Sequence, residues 1–320
     1  MMKRKERRWL LLASGAILGV VLVMMEKLVL ADVAPTTTII NLSINILYAI
    51  FLGMVQGLTE FLPISSTAHL KVVPVALGWG DPGVTITAVI QLGSIGAVVW
   101  YFWHDITNIT IGMVKAIRNK DYKSQDFRLG LGIGLGTLPI VICGLLLKVL
   151  VPDLDNSAFR TTTTIAIASI VMALLLGWAE YQGKRVRDFN RLDSYDGFLI
   201  GLAQSLALIP GVSRSGSTIT AGLFIGLQRE TAARFSFLLG IPAITLAGLV
   251  ELVGVVKTGV QTDELLILLV GTVSSAFWSY LAIAWLIRYL QKQSTWVFVW
   301  YRLIFGIVLL GAIVLGKISN

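Results

Sequence analysis

The chain has 320 residues, 56% hydrophobic and only 14% charged, with a formal charge of +8. A soluble domain of this length would need far more polar surface to cover its core, so the composition excludes one and points to a polytopic membrane protein. The positive balance then reads as Lys and Arg gathered in cytoplasmic loops, not as a nucleic-acid surface; one cysteine and two histidines exclude an intrachain disulfide and a His/Cys metal cage.

Residues 1–8 hold five basic side chains, and residues 9–25 are uncharged. This pattern predicts an uncleaved N-terminal anchor that starts in the cytoplasm. Residues 1–45 are therefore set apart from a single membrane domain over 46–320. Within that domain, the runs 84–103, 131–150, 161–179, 235–256, 266–287 and 297–316 each have about the 20 residues needed to cross a hydrocarbon core. Two further segments, near 46–78 and 197–228, are apolar but broken by Pro63 and Pro210, each followed by serines. Each half looks too short to span, which predicts two re-entrant helical hairpins.

Charge counting supports that topology. With both broken segments returning to their side of origin, the inside loops hold 18 of the 26 Lys and Arg residues and the outside loops hold 3, as the positive-inside rule expects. The expected fold is all-α, an inverted-topology repeat with halves near 46–180 and 197–316. Each half would be one re-entrant hairpin plus three transmembrane helices. Gln56 and Gln204 match at a shift of 148, and Pro63 and Pro210 with a one-residue slip.

Each break precedes a fresh half-helix. Ser65 or Ser66 is placed to cap the first, and Ser213 or Ser215 the second. Two helix N-termini facing one cavity would form an anion site. Arg214 lies in the second tip, where its fork suits phosphate oxygens, and Gly211 and Gly216 allow close backbone approach. Glu60 ends the first half-helix with Gln56 one turn earlier. A Mg²⁺ or Ca²⁺ ion bridging Glu60 and phosphate oxygens fits oxygen-ligand chemistry. Ser66 and His69, spaced i, i+3, can pair a hydroxyl nucleophile with an imidazole. Against these stand plainer readings: serines as caps only, Glu60 with Arg214 as a structural ion pair, Gln91 as a cavity-lining hydrogen bonder, and Arg302 snorkelling near a span start.

At these stretches the chain resembles the undecaprenyl-diphosphatase family, the BacA-type bacitracin-resistance proteins. The signatures (E/Q)xxxE and PGxSRSxxT stand as QGLTE over 56–60 and PGVSRSGST over 210–218. FLPISSTAHL over 61–70, ARFSFLLGIP over 233–242 and the triplet Trp300, Tyr301 and Arg302 also look like the family. The resemblance implies removal of the terminal phosphate of undecaprenyl diphosphate by a divalent-cation-dependent enzyme of the bacterial inner membrane, with its cavity opening outward. It implies that Glu60 holds metal or diphosphate, that Ser66 is the nucleophile with His69 as acid/base partner, and that Arg214 clamps phosphate. Gln56, Ser65, Thr67, Ser213, Ser215, Ser217 and Thr218 would complete the substrate site with Gly211 and Gly216. Partners are the lipid substrate and membrane lipid, with no nucleic acid; a homodimer is kept as a candidate assembly. The rival expectation is a polyprenyl-phosphate transporter using the same cavity, since broken helices at the midplane also mark transporters.

Overall fold

The computed structural model describes residues 36–151, 160–258 and 262–318. The chain divides into two units, Met1–Asn45 and Ile46–Asn320; the expected N-terminal anchor lies outside the described residues. The elements in order are α1 (Thr36–Phe61), α2 (Ser66–Ala76), α3 (Gly83–Tyr101), α4 (Trp103–Asn119), α5 (Gln125–Leu150), α6 (Thr162–Gln182), α7 (Ser194–Ser205), α8 (Arg214–Phe224), α9 (Arg229–Thr258), α10 (Thr262–Leu290) and α11 (Trp296–Val314). Among the described residues the only β-type pairing is an isolated bridge between Arg187 and Leu227.

Six described helices are long and apolar enough to cross a membrane: stretches of α1, α5, α6, α9, α10 and α11. This is a multi-pass membrane protein. The sequence reading differs in two places. The first half of the first broken segment was expected to be too short to span, yet 44–61 alone meets the length and hydropathy of a span. The apolar run simply continues upstream of residue 46. The expected span 84–103 ends at Phe102 in a 66° bend into α4. Residues 104–119, read as loop, are helical because an apolar stripe (Ile106, Ile109, Met113, Ala116) recurs at helical spacing among polar residues.

Two seams of small residues bring backbones together. A Cβ on Gly53 of α1 would lie 2.3 Å from the Gly271 carbonyl oxygen of α10. A Cβ on Gly201 of α7 would lie 2.2 Å from the Gly136 carbonyl oxygen of α5. Close approach of this kind requires residues without bulk, as in membrane helix packing generally. Large side chains such as Trp100, Leu145, Val149 and Ile304 face outward, as a lipid solvent permits.

The basic loop 181–196 is more than a topological charge. Glu180, 2% exposed at the end of α6, accepts from Arg185 (2.7 Å), Arg229 (3.0 and 3.1 Å from Nε) and Thr295 Oγ1 (2.8 Å). Arg187 grips Asp196 through two bonds, 2.8 and 2.5 Å, and these raise its guanidinium above the ordinary arginine range. Asp193 and Asp196 form a reciprocal capping box that starts α7.

Candidate active site

Both breaks have the same local build. A proline follows the end of each helix, after a 3-10 turn over Leu206–Leu208 in the second case, and a serine at positive φ then caps the next helix. Ser65, with φ 77°, accepts from the Ala68 N–H at 3.4 Å; Ser213, with φ 72°, accepts from the Gly216 N–H at 3.1 Å. The expected caps were Ser65 or Ser66 and Ser213 or Ser215; the structure selects Ser65 and Ser213. The breaks are tied to each other, since Ser215 Oγ donates to the Leu62 carbonyl at 2.9 Å.

Arg302 of α11 completes the join. It is 1% exposed and donates from Nη1 to the Pro63 carbonyl at 3.0 Å, from Nη2 to the Gly211 carbonyl at 2.7 Å and from Nε to the Ser169 carbonyl at 3.3 Å. Irregular backbone buried away from water leaves the Pro63 and Gly211 carbonyls without helical partners, and one guanidinium satisfies a carbonyl in each break. Arg302 is thus an internal staple. Its position near a span start pointed to snorkelling because no sequence pattern marks which carbonyls it meets.

Between the breaks lies a cavity of about 200 Å³, lined at its polar end by Glu60, Ser65, Ser66, Thr67, Gln91, Gly211, Ser213 and Arg214. Ser66 Oγ donates to Glu60 Oε2 at 2.7 Å, and Gln56 Nε2 donates to the same oxygen at 3.1 Å. Gln56 also reaches Ser94, which bonds Ser275 and Ser279 of α10. Arg214 Nη2 approaches Glu60 Oε1 at 3.5 Å and Nη1 the Ser236 carbonyl at 3.4 Å, both long, while its Nε has no partner among the described residues. The guanidinium lies 5.8 Å from the Phe61 ring centroid and against Gly240, where a Cβ would sit 1.7 Å from Nη1. A buried arginine this loosely bonded has donors to offer an anion.

The remaining predicted residues stand apart from the cavity. His69, expected beside Ser66, engages the Ser65 carbonyl through Nδ1 (2.7 Å) and the Tyr301 hydroxyl through Nε2 (2.5 Å), stacked on Tyr301 and Phe305. Both ring nitrogens are taken, and Ser66 turns to Glu60 instead. Ser217 and Thr218 donate to the Arg214 carbonyl, and Thr218 meets the Ser236 hydroxyl at 2.6 Å; with Ser215 and Gly216 they lock the second tip from behind. The i, i+3 spacing of Ser66 and His69 permitted a pairing that side-chain direction does not make. Ser94, Ser236, Gly240 and Tyr301 carry no sequence signal of a place near the site, because each meets it through a neighbour from a distant element.

A family model described as bacitracin resistance protein BacA matches residues 49–308. The chain belongs to this family. BacA-family relatives include a protein of Synechocystis sp. that is 66% identical, over 89% of this chain and 88% of its own length, and one of Trichormus variabilis that is 62% identical over 98% of each. A third, from Nostoc sp., is 60% identical over 98% of each. All three are named undecaprenyl-diphosphatase. The matched span contains both breaks and Arg302, so the geometry above lies within the BacA-family region.

Proposed function

We propose that this chain is an integral membrane phosphatase of the bacterial inner membrane. It hydrolyses undecaprenyl diphosphate to undecaprenyl phosphate and inorganic phosphate, recycling a cell-envelope lipid carrier and supporting bacitracin resistance. The observation that carries the reading is that Arg214, from one break, meets a Glu60–Ser66 hydrogen-bonded pair from the other. The relatives named above carry that activity in their names.

The fold reading goes with it. Helices α2, α7 and α8 have 11, 12 and 11 residues, too few to cross about 30 Å; this supports two re-entrant hairpins in an inverted repeat over 46–320, the first with a longer entering arm, since 44–61 alone reaches span length. Three independent pairs share the shift of 148: the caps Ser65 and Ser213, the seam glycines Gly53 and Gly201, and the stapled carbonyls of Pro63 and Gly211. The N-terminus would be cytoplasmic and the cavity would open to the outer face.

The terminal phosphoryl group would sit between Arg214 and the first N–H groups of α2 and α8. Ser66 Oγ attacks phosphorus, its proton passes to Glu60, and the bridging P–O bond breaks as undecaprenyl phosphate leaves. Water then cleaves the phosphoserine to release inorganic phosphate. His69 acts as a positioning residue through the Ser65 carbonyl. Among the described residues no three His, Cys, Asp or Glu side chains gather around a metal site, so a closed protein cage does not fit. A Mg²⁺ or Ca²⁺ ion held by Glu60, with oxygens of Gln56 and Ser66 and leaning on substrate phosphates, does fit the donor set; bound there it would neutralise phosphoryl charge.

The test is phosphate release from a defined polyprenyl diphosphate by purified protein, with Glu60→Ala and Arg214→Ala inactive. Lipid translocation without phosphate release would overturn the reading in favour of a transporter.

A further inference from the structure

A second cavity, of about 70 Å³, adjoins the first and shares Ser66, Thr67 and Gln91 with it as a common wall. The two lead away from that wall through different chemistry. The larger runs past Ile140, Leu208, Ile209, Ile244 and Ala247. The smaller runs past Gln56 and Thr87 to Lys71, Asp81 and Arg160, and its volume holds more than one water. Lys71 lies on α2, the same short helix that begins with Ser66. Its ammonium donates to the Arg160 carbonyl, which ties α2 to the chain just before α6 at the far end of the cavity. Among the described residues, Lys71 and Arg160 line that part of the cavity with Asp81, and the Lys71 ammonium offers charge-assisted bonds to an anion's oxygens.

We infer that the smaller cavity is an orthophosphate subsite, which receives inorganic phosphate from the Ser66 side and passes it to water, while the lipid product keeps to the apolar arm. The inference rests on the diphosphatase reading. Hydrolysis of a lipid diphosphate yields two products of opposite solvation. An ionised phosphate crossing the Ile140–Ala247 arm would lose its water with nothing to replace it. The polar arm offers hydroxyls, the Gln91 amide and the Lys71 ammonium, which has three N–H donors, one of them given to Arg160.

Two measurements test this. In the turnover assay, orthophosphate inhibits the wild-type protein, and Lys71→Gln raises its Ki about tenfold, the size expected for one charge-assisted bond; Lys71→Arg keeps the wild-type value. In ³¹P NMR without lipid, the detergent-solubilised wild type and Lys71→Arg broaden the orthophosphate line, and Lys71→Gln does so far less. Unchanged Ki and unchanged broadening in Lys71→Gln overturn the subsite. So does broadening lost only in Arg214→Ala, which would leave phosphate at the main cavity alone. A protein that broadens the line through Lys71 yet hydrolyses nothing keeps the subsite and rejects the diphosphatase reading. Elution at the wild-type volume on size exclusion excludes misfolding of the variants.

Discussion

Ser65 and Ser213 cap α2 and α8 from the same uncommon backbone region, with φ of 77° and 72°. A serine there carries a left-handed-type strain that glycine would not, and it gains a cap bond that glycine would not give. Alanine keeps the strain and loses the bond. Ser65→Ala should therefore lose about 1 kcal/mol of stability, while Ser65→Gly stays within a few tenths of the wild type, with the same order at Ser213. Thermal unfolding in detergent reads the order; alanine more stable than glycine would mean that positive φ is not what the break demands.

Arg302 supplies a second prediction. Arg302→Lys keeps the charge but cannot reach the carbonyls of Pro63, Gly211 and Ser169 together. Each carbonyl left without a partner costs about 1–3 kcal/mol. The variant should unfold at a lower temperature and lose at least about tenfold in kcat, because the two breaks are no longer held in register. A lysine variant with wild-type kcat and midpoint would show that the staple is dispensable.

Gly240 is not itself a lining residue of the cavity, yet a Cβ there would collide with Nη1 of Arg214, which is. Gly240→Ala should displace the guanidinium and lower kcat/KM by about 10- to 100-fold, as misplacement of a positioning group by about 1 Å does. The double variant Gly240→Ala with Arg214→Ala should be no worse than Arg214→Ala alone, since both act on one group. Additive losses would separate Gly240 from the arginine.

The breaks, their caps and the Glu60–Arg214 approach were legible because proline, serine runs and charges inside apolar stretches are local signals. What escaped was carried by direction and distance. Ser66 and His69 share a helix face by spacing, but the imidazole is turned by the Tyr301 hydroxyl more than 200 positions away, a contact that periodicity does not encode. Arg302 and Gly240 act on backbone and on a side chain of other elements, so neither has a pattern of its own. The α3–α4 bend was invisible because an apolar run gives length without telling where the axis turns.

Glu180 bears on stability, not chemistry. Arg185, Arg229 and Thr295 converge on it from three elements. Removing one partner of a buried charge network strands the others, at a cost of about 3–5 kcal/mol. Glu180→Ala should lower the unfolding midpoint and the yield of folded protein, while the fraction that folds keeps the wild-type KM. A shifted KM at full stability would place Glu180 in substrate handling instead.

The division of labour between Ser66, Glu60 and His69 can be settled by trapping. If Ser66 attacks phosphorus with Glu60 as base, rapid quench of wild type with ³²P-labelled substrate should show a phosphoserine. Ser66→Ala should lose at least about a hundredfold in kcat, and Glu60→Gln, which keeps the size but not the basicity, should form the phosphoserine slowly. His69→Asn should still form it at a rate within about tenfold of wild type, because its ring bonds to Ser65 and Tyr301 and not to the nucleophile. Abolition of the phosphoserine by His69→Asn in a protein with an unchanged unfolding midpoint would return His69 to the chemistry. Full turnover in Ser66→Ala would instead make water, activated by Glu60, the attacking group.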